Sequence, residues 1–397
     1  MEGYLQKMQA NIWKLYVLHA VRGSLVHVAV LVIFLASNGL DLQQVFILEA
    51  LWSVLQMGFE IPSGYLSDRW GRKPTLVLGA ILKSIGMLIY CLSFNFSGFL
   101  LAVVFLSTGS SLFSGTDSAI AYDTLLELGE EDQYRKIAGK QAFFRFCVEA
   151  VAGILGGLIA LYSLRATLWT TFGFFLIAPI IAITLKEPKR HKLQETRHFA
   201  AMWNIFVTSV VHNPAIRGVI LLNSILITMA FSLYWFTQPY QEMVGLPLVL
   251  FGVTHSIIVL CHAFASRYVH SLEKWFDDRL LLISISICMI VSFLVLGLTS
   301  SIWAIAFFFV ARIMWGFTTP LTSDILNRMT SSETRATVLS FQAFGFRLLF
   351  AIVSPFLGYT ADVLSLNQAI LISGCIGAVL LVITFFSMSV VWNKIPK

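Results

Sequence analysis

The sequence predicts an all-α membrane protein with twelve transmembrane helices in two pseudo-symmetric six-helix bundles, and three observations carry that reading. The 397 residues are 57% hydrophobic and only 12% charged, with a mean hydropathy of +0.81, whereas a soluble domain carries about 25% charged residues. Apolar stretches near the roughly 20 residues needed to cross a bilayer recur twelve times. Sliding the chain against itself by 201 residues aligns like with like across its two halves.

The first six spans are expected near 12–37, 43–66, 74–94, 98–123, 136–161 and 166–185. The second six follow near 215–238, 247–269, 279–299, 302–326, 335–360 and 366–392. The domains are then an N-terminal bundle over 1–185, a linker over 186–213 and a C-terminal bundle over 214–397. Within the linker, Lys186 to His198 is a basic connector containing Pro188, and 199–213 has the pattern of an amphipathic interfacial helix through Phe199, Met202, Trp203, Phe206 and Val210. The first span is too long for a signal-peptide core and lacks a cleavage pattern, so it is expected to be retained.

Loop charge sets the expected orientation. With the N-terminus inside, the cytoplasmic connections hold Arg69, Arg72, Lys73, Arg135, Lys186, Lys189, Arg190, Lys192, Arg197, Lys274, Arg279, Arg328 and Arg335, while the opposite loops hold Arg165 alone. The positive-inside rule places both termini in the cytoplasm of an inner-membrane protein. These juxtamembrane clusters account for the net charge of +6 without a nucleic-acid partner. Cys91, Cys147, Cys261, Cys288 and Cys375 all lie in apolar spans and offer neither metal spacing nor a disulfide framework. The sequon Asn95-Phe96-Ser97 lies in a short turn against the membrane and reads as chance.

The 201-residue shift pairs Gly115 with Gly316, Asp123 with Asp324 and Leu125 with Leu326. It also pairs Gln141-Ala142-Phe143 with Gln342-Ala343-Phe344, Ala150 with Ala351 and Gly157 with Gly358, while Arg145 and Arg347 match one position out of step. Spans four and five thus correspond to ten and eleven, the pattern of parallel six-helix repeats.

Between the second and third spans runs Gly64-Tyr65-Leu66-Ser67-Asp68-Arg69-Trp70-Gly71-Arg72-Lys73. Such a charged run cannot sit in hydrocarbon and is expected to be a tight turn at one membrane face. Its pattern, Gly-x-x-x-Asp-Arg-x-Gly-Arg-Lys, closely resembles the loop signature of major facilitator superfamily transporters. The resemblance implies the major facilitator fold and a latch between the halves. In that latch Asp68 would face the N-terminus of the eleventh helix near Arg335, and Arg72 would pair with an acid at the end of the fourth. Asp123 is the first choice for that acid and Glu127 the second. Gly64 and Gly71 would allow close backbone approach, with Arg69 and Lys73 completing the motif. The matching stretch of the second half, Arg267 to Trp275, has lost the pattern. In the fifth span, Ala152-Gly153-Ile154-Leu155-Gly156-Gly157 resembles the family's Gly-Pro-x-x-Gly-Gly antiporter signature without its first glycine and its proline.

Polar residues inside the spans mark the working interior, because intramembrane charges are costly. Glu49, Ser53, Gln56, Glu60, Ser63 and Ser67 form one stripe at helical spacing on the second span. The fourth has Ser107, Ser110, Ser111, Ser114, Asp117 and Ser118; the first has His19, Arg22 and His27; the fifth has Arg145 and Glu149. Arg312 and Arg347 lie on the tenth and eleventh spans, and Lys83 on the third has no assignable partner. The alternative for any one of these residues is simple structural pairing, such as Arg145 with Glu149. Proton-coupling candidates are Asp117 first, then Glu149, then Glu49 or Glu60; Asp117 leads because Arg145 stands beside Glu149. Substrate-cavity candidates are His19, Arg22, His27, Ser114, Arg145, Tyr234, Trp235, Trp315, Gln342 and Arg347, with Trp52 and Phe113 as further aromatics. Among them Arg22 stands out for anion binding, since its own helix offers no acidic neighbour. His255 and His262 lie seven apart on one face, and two histidines alone serve more often as polar packing than as a metal site.

The expected function is secondary active transport of a small organic solute, amphipathic and anionic or zwitterionic, across the inner membrane by alternating access. Proton-coupled export of a drug, metabolite or siderophore is the first reading, and proton-coupled import of an organic acid or amino-acid-like nutrient is the alternative. A membrane enzyme or a non-transporting sensor is the reading from another class. His-Glu-x-x-His, Gly-x-Ser-x-Gly and Gly-x-x-x-x-Gly-Lys are all absent from the sequence, and no soluble module is attached. The expected partners are the solute and the lipid bilayer, with the proton gradient in place of a cofactor, no metal, and the monomer as the working form.

Overall fold

The computed structural model describes residues 2–189, 206–389 and 392. The basic connector beyond Lys189 and the first seven residues of the expected amphipathic helix, among them Phe199, Met202 and Trp203, lie outside the described residues; Phe206–Val211 forms a short π-helical turn. Among the described residues the fold is all helix. Eleven helices are long and apolar enough to cross a membrane, and a bent one makes twelve. They are α1 (Gly3–Ser37), α2 (Leu42–Trp70), α3 (Arg72–Leu92), α4 (Phe96–Leu128), α5 (Glu131–Ala160) and α6 (Leu164–Thr184). After the linker come α7 (Pro214–Met243), α8 (Leu248–Leu272), α9 (Asp278–Leu298), α10 (Ile302–Met329), α11 (Glu333–Val363) and α12 (Leu366–Ser389).

Helix ends follow local chemistry more than hydropathy. Asn95 accepts a bond from Gly98 N at 2.9 Å and so caps α4, which gives the sequon asparagine a structural task. Asn213 caps α7 by accepting from Ala215 N and Ile216 N, with Pro214 at the first helical position, where no N–H is needed. Several helices outrun their apolar cores: α1 begins at Gly3 rather than 12, and α4 reaches Leu128 rather than 123.

The Gly64–Lys73 run is helical over most of its length rather than a tight turn. α2 bends by 44° around Pro62 and stays helical through Trp70, so Gly71, at φ 124° and ψ 158°, is the whole connection to α3. Asp68 and Arg72, one helical turn apart, bridge this hinge. Only glycine tolerates such a backbone without strain.

Two other helices are discontinuous. α1 is α-helical through Gly23, passes into a 3-10 stretch over Val26–Val30 and resumes at Leu31. α4 stops at Phe113 and restarts at Thr116, with Gly115 at φ 78° between them.

The chain packs as two compact units. The first comprises Met1–Leu40, Leu51–Gln194 and Pro247–Val259; the second comprises Asp41–Ala50, Glu195–Leu246 and Leu260–Lys397. Each unit therefore takes a short piece from the other sequence half. In the first unit, glycines make that insertion possible: a Cβ on Gly153 would lie 2.8 Å from the His255 ring, and one on Gly252 would meet the Gly157 backbone. Ser256 Oγ donates to the Ala150 carbonyl in the same crossing, at 2.5 Å. In the second unit, a Cβ on Gly358 would come 2.5 Å from Gln43 Cα, and Ser354 Oγ donates to the Phe46 carbonyl at 3.4 Å. Small residues at these crossings let helices gain dispersion contacts where burial from lipid supplies no hydrophobic drive. α7 forms the centre of the second unit, with 83% of its apolar window buried against 17–39% for α8 to α12.

Candidate functional site

The two broken helices of the first unit meet through charge. Arg22 lies in the last turn of the opening segment of α1, and Asp117 in the first turn of the closing segment of α4. A helix C-terminus favours a cation and an N-terminus an anion, so each break stabilises the residue it carries. Arg22 Nη1 donates to Asp117 Oδ2, and His19 Nε2 lies 3.6 Å from the same oxygen. Asp117 is buried, at 7% side-chain exposure, while Arg22 keeps 27%. One partner is thus sealed and the other remains reachable.

Around this pair the first unit assembles further charge. Arg145 stands in the electrostatic field of Glu149, Arg22 and Asp117. It also stacks on Phe146, 4.6 Å from the ring centroid. A Cβ on Gly23 would overlap the Arg145 carbonyl, so α1 touches α5 backbone to backbone at this level. Deeper in, His27 is buried and shares Thr171, with Nδ1 3.1 Å from Oγ1. Ser114 is exposed at the α4 break, whereas Phe113 is fully buried.

This geometry corrects two expectations. Asp117 ranked above Glu149 because it had no arginine beside it, but Arg22 reaches it from α1, 95 residues away in sequence. Arg22 in turn does have an acidic partner, on α4 instead of its own helix. The polar stripe of α2 is also divided: Glu49 belongs to the second unit, and Glu60 and the residues around it belong to the first. Glu49 makes no ion pair among the described residues, while Glu60 is exposed.

The second unit gathers aromatic groups around Arg312 and a separate set of neutral polar groups. Phe231 stacks on Tyr234 and meets Trp235, Trp315 and Phe350 edge-on, the last at 4.6 Å. Arg312 lies over Tyr234 at 4.9 Å and Trp315 at 4.2 Å. Arg347 lies 5.7 Å from the Phe346 centroid. Gln342 is buried in a closed network: its Nε2 donates to Thr322 Oγ1 at 2.8 Å and its Oε1 accepts from Ser323 at 3.0 Å. Thr322 Oγ1 also bonds Asn223 Oδ1, at 3.0 Å. Gln342 is therefore a core hydrogen-bonding residue rather than an open cavity contact.

At the loop motif, Arg72 Nη1 donates to Asp68 Oδ1 at 2.5 Å and to Ser67 Oγ at 3.1 Å, and its Nε lies 3.3 Å from Asp123 Oδ2. Glu127, the second choice, instead accepts from Tyr4 Oη at 2.8 Å and from Lys189 N at 2.7 Å. Arg69 donates to Tyr65 Oη at 3.1 Å. One acid here escaped the sequence reading. Glu187 accepts from the Arg72 and Lys73 amides, at 2.8 and 2.7 Å, and so caps the N-terminus of α3. The available signal was an acid directly after the sixth span, opposite a basic motif.

Against known proteins, the model of the family described as Major Facilitator Superfamily matches residues 15–348. No curated protein matches the chain. Among solved structures, a mutant of the nucleoside transporter NupG superposes with a TM-score of 0.82 at 12% identity, covering 95% of this chain and 99% of that one. A bacterial homologue of the human lysosomal transporter Spinster gives 0.75 at 16% identity, covering 100% and 99%. A D-xylose–proton symporter gives 0.73 at 16% identity, covering 99% and 98%. At these identities the likeness speaks to the fold.

Proposed function

The chain belongs to the major facilitator superfamily, and we propose that it is a proton-coupled secondary transporter of a small organic solute bearing an anionic group, either an anion or a zwitterion. Its fold is that of transporters, and its apolar helices make it a multi-pass membrane protein. The observation that carries the proposal is the Arg22–Asp117 pair across two helix breaks. Arginine keeps its charge and offers a planar fork suited to carboxylate or phosphate. Asp117 engages one arm of that fork, at Arg22 Nη1. A proton on Asp117 weakens its hold on Arg22 and releases the fork for the solute's anion, so proton and solute bind together. Joint binding drives both in one direction, which supports symport, and therefore uptake, ahead of export.

Export by exchange is the second reading. It rests on the partial glycine signature of α5 and requires the amino group of a zwitterion to compete with the proton for Asp117. The signature weighs little here, because Gly153 and Gly157 are needed for contact with α8, and Gly156 for contact with the Val26 carbonyl. We place both termini in the cytoplasm, on the side where basic loops accumulate, and take the monomer as the working unit.

Untargeted metabolomics of cells and medium, comparing a deletion strain with its complement, tests the proposal. Under symport the complement takes up an anionic or zwitterionic solute from the medium, and Asp117→Asn abolishes pH-driven accumulation in proteoliposomes. A solute that accumulates inside the deletion strain assigns export. Identical profiles in the two strains overturn the transport reading.

A further inference from the structure

Lys83 is a charge of the first unit that neither the motif nor the Arg22–Asp117 pair absorbs. It sits midway along α3, yet its side chain turns inward. Its stem fills a notch on α4, where a Cβ on Gly109 would lie 2.7 Å from Lys83 Cγ. Its Nζ lies 4.8 Å from the Phe175 ring centroid and 5.8 Å from that of Phe113. It makes no ion pair among the described residues, and it lies in the field of Arg22, Arg145 and Asp117.

The charges around it do not balance. Arg22, Lys83 and Arg145 face Asp117 and Glu149, leaving one cation without a carboxylate. Asp117 is already engaged by Arg22, and Glu149 lies one turn from Arg145 on α5. Ring faces attract an ammonium group but replace only part of its lost hydration. The repeat does not require the lysine either, since the 201-residue shift places Ser284 at the equivalent position.

We infer that Lys83, with Arg22 and Arg145, forms a subsite in the first unit for one anionic group of the solute, a carboxylate or phosphate carried on an apolar body. Lys83 supplies the unbalanced point charge and Arg22 supplies the fork, while the buried Phe113 and Phe175 rings hold the Lys83 ammonium in place. This assignment rests on the transport reading above and adds the residue that sets charge selectivity. It separates anions from cations of equal size, because a cation would add to an existing positive excess.

The test reads the local potential directly, whatever the transported solute is. In full-length protein with its five native cysteines replaced, Ser114→Cys places a thiol next to Phe113, at the exposed α4 break. Its modification rate is measured with an anionic and a cationic methanethiosulfonate, in the presence and absence of benzoate, inorganic phosphate and benzylamine. Removing one nearby charge with Lys83→Met should lower the anionic-to-cationic rate ratio by about five-fold, whereas Lys83→Arg should preserve it. Benzoate or phosphate should slow modification when position 83 is cationic, and benzylamine should not. An unchanged ratio in Lys83→Met, with size-exclusion behaviour equal to the parent, overturns the subsite and leaves the transport reading to the metabolite profiles. Equal slowing by benzylamine and benzoate overturns it as well. Identical profiles in the deletion and complemented strains overturn the transport reading whatever the ratio.

Discussion

Arg22, Asp117 and Gln141 in the first unit stand at the same repeat positions, 201 residues apart, as Asn223, Thr318 and Gln342 in the second. The two sets handle intramembrane polarity in opposite ways. At these positions the second unit uses neutral groups: Thr322 bonds both Asn223 and Gln342, and Thr318 returns its hydroxyl to the Met314 carbonyl at 2.7 Å. The first unit uses ions. Where the second has Thr322, it has Ala121, so the buried Gln141 Nε2 finds no hydrogen-bond partner among the described residues. A neutral network is satisfied in one state and resists change. An ion pair can be released by one proton and gives the first unit a means of switching.

The outer corners differ in the same manner. Asp123 and Asp324 are repeat partners, as are Glu127 and Arg328. In the first unit the base comes from the start of α3, where Arg72 reaches Asp123. In the second it comes from α10, where Arg328 Nη2 donates to Asp278 at the start of α9, at 2.5 Å, and Nε lies 3.1 Å from Asp324 Oδ2. The second half has lost the loop motif and retained a charged corner with acid and base exchanged across it.

The strongest test of this contrast converts the first interior into the second. Arg22→Asn or Asp117→Thr alone leaves a largely buried charge without its partner, so each should destabilise the protein by about 2–3 kcal/mol. The double substitution removes both charges and should recover most of that loss, giving a coupling energy of about 3 kcal/mol. Thermal unfolding of the four proteins in one detergent measures it. Transport should be absent from all three variants. Additive losses would mean that the pair is a contact of no consequence to the unit.

The spans were legible because hydropathy and repeat spacing extend over twenty or more residues. The breaks were not, because a window that long averages over the Gly23–Val30 and Ser114–Gly115 interruptions. Asp117 and Arg22 were both visible as intramembrane charges, but helical spacing reports neighbours on one helix and is silent about a partner on another. For Arg72, proximity to Asp123 was suggested by family resemblance, whereas Glu187 lay in a segment read only as a basic linker. Lys83 was visible and unexplained: its direction depends on the notch at Gly109, and that notch depends on how α3 and α4 pack.

A second test concerns the corner of the first unit. Arg72→Ala removes contacts with Ser67, Asp68 and Asp123 at once, and Asp68→Asn weakens one of them. If this corner governs conformational exchange, turnover in proteoliposomes should fall about ten-fold or more for Arg72→Ala and less for Asp68→Asn, with solute affinity within a few-fold of the parent. The charge-exchanged corner of the second unit offers the control. Arg328→Ala should have a similar effect if both corners latch, and a smaller one if the role stayed with the motif. A wild-type rate in Arg72→Ala at normal expression removes the latch assignment.

The smallest expected effect separates the two glycine crossings. Gly157 and Gly358 are repeat partners, and each admits the start of a helix from the other sequence half. Four positions further on, the second unit has Asp362 where the first has Leu161. Asp362 accepts from Leu42 N at 3.1 Å and Gln43 N at 2.7 Å, placing a carboxylate on the N-terminus of α2. The first-unit crossing has no such acid and relies on the bond from Ser256 to Ala150. An exposed carboxylate at a helix N-terminus contributes about 0.5–1 kcal/mol, and asparagine retains an acceptor without the charge. Asp362→Asn should therefore speed hydrogen exchange at Leu42 and Gln43 by about two- to five-fold, while amides near Leu248 at the other crossing stay unchanged. Equal acceleration at both crossings would show that they open together, and the distinction between a charged crossing and a packed one would then carry no dynamic meaning.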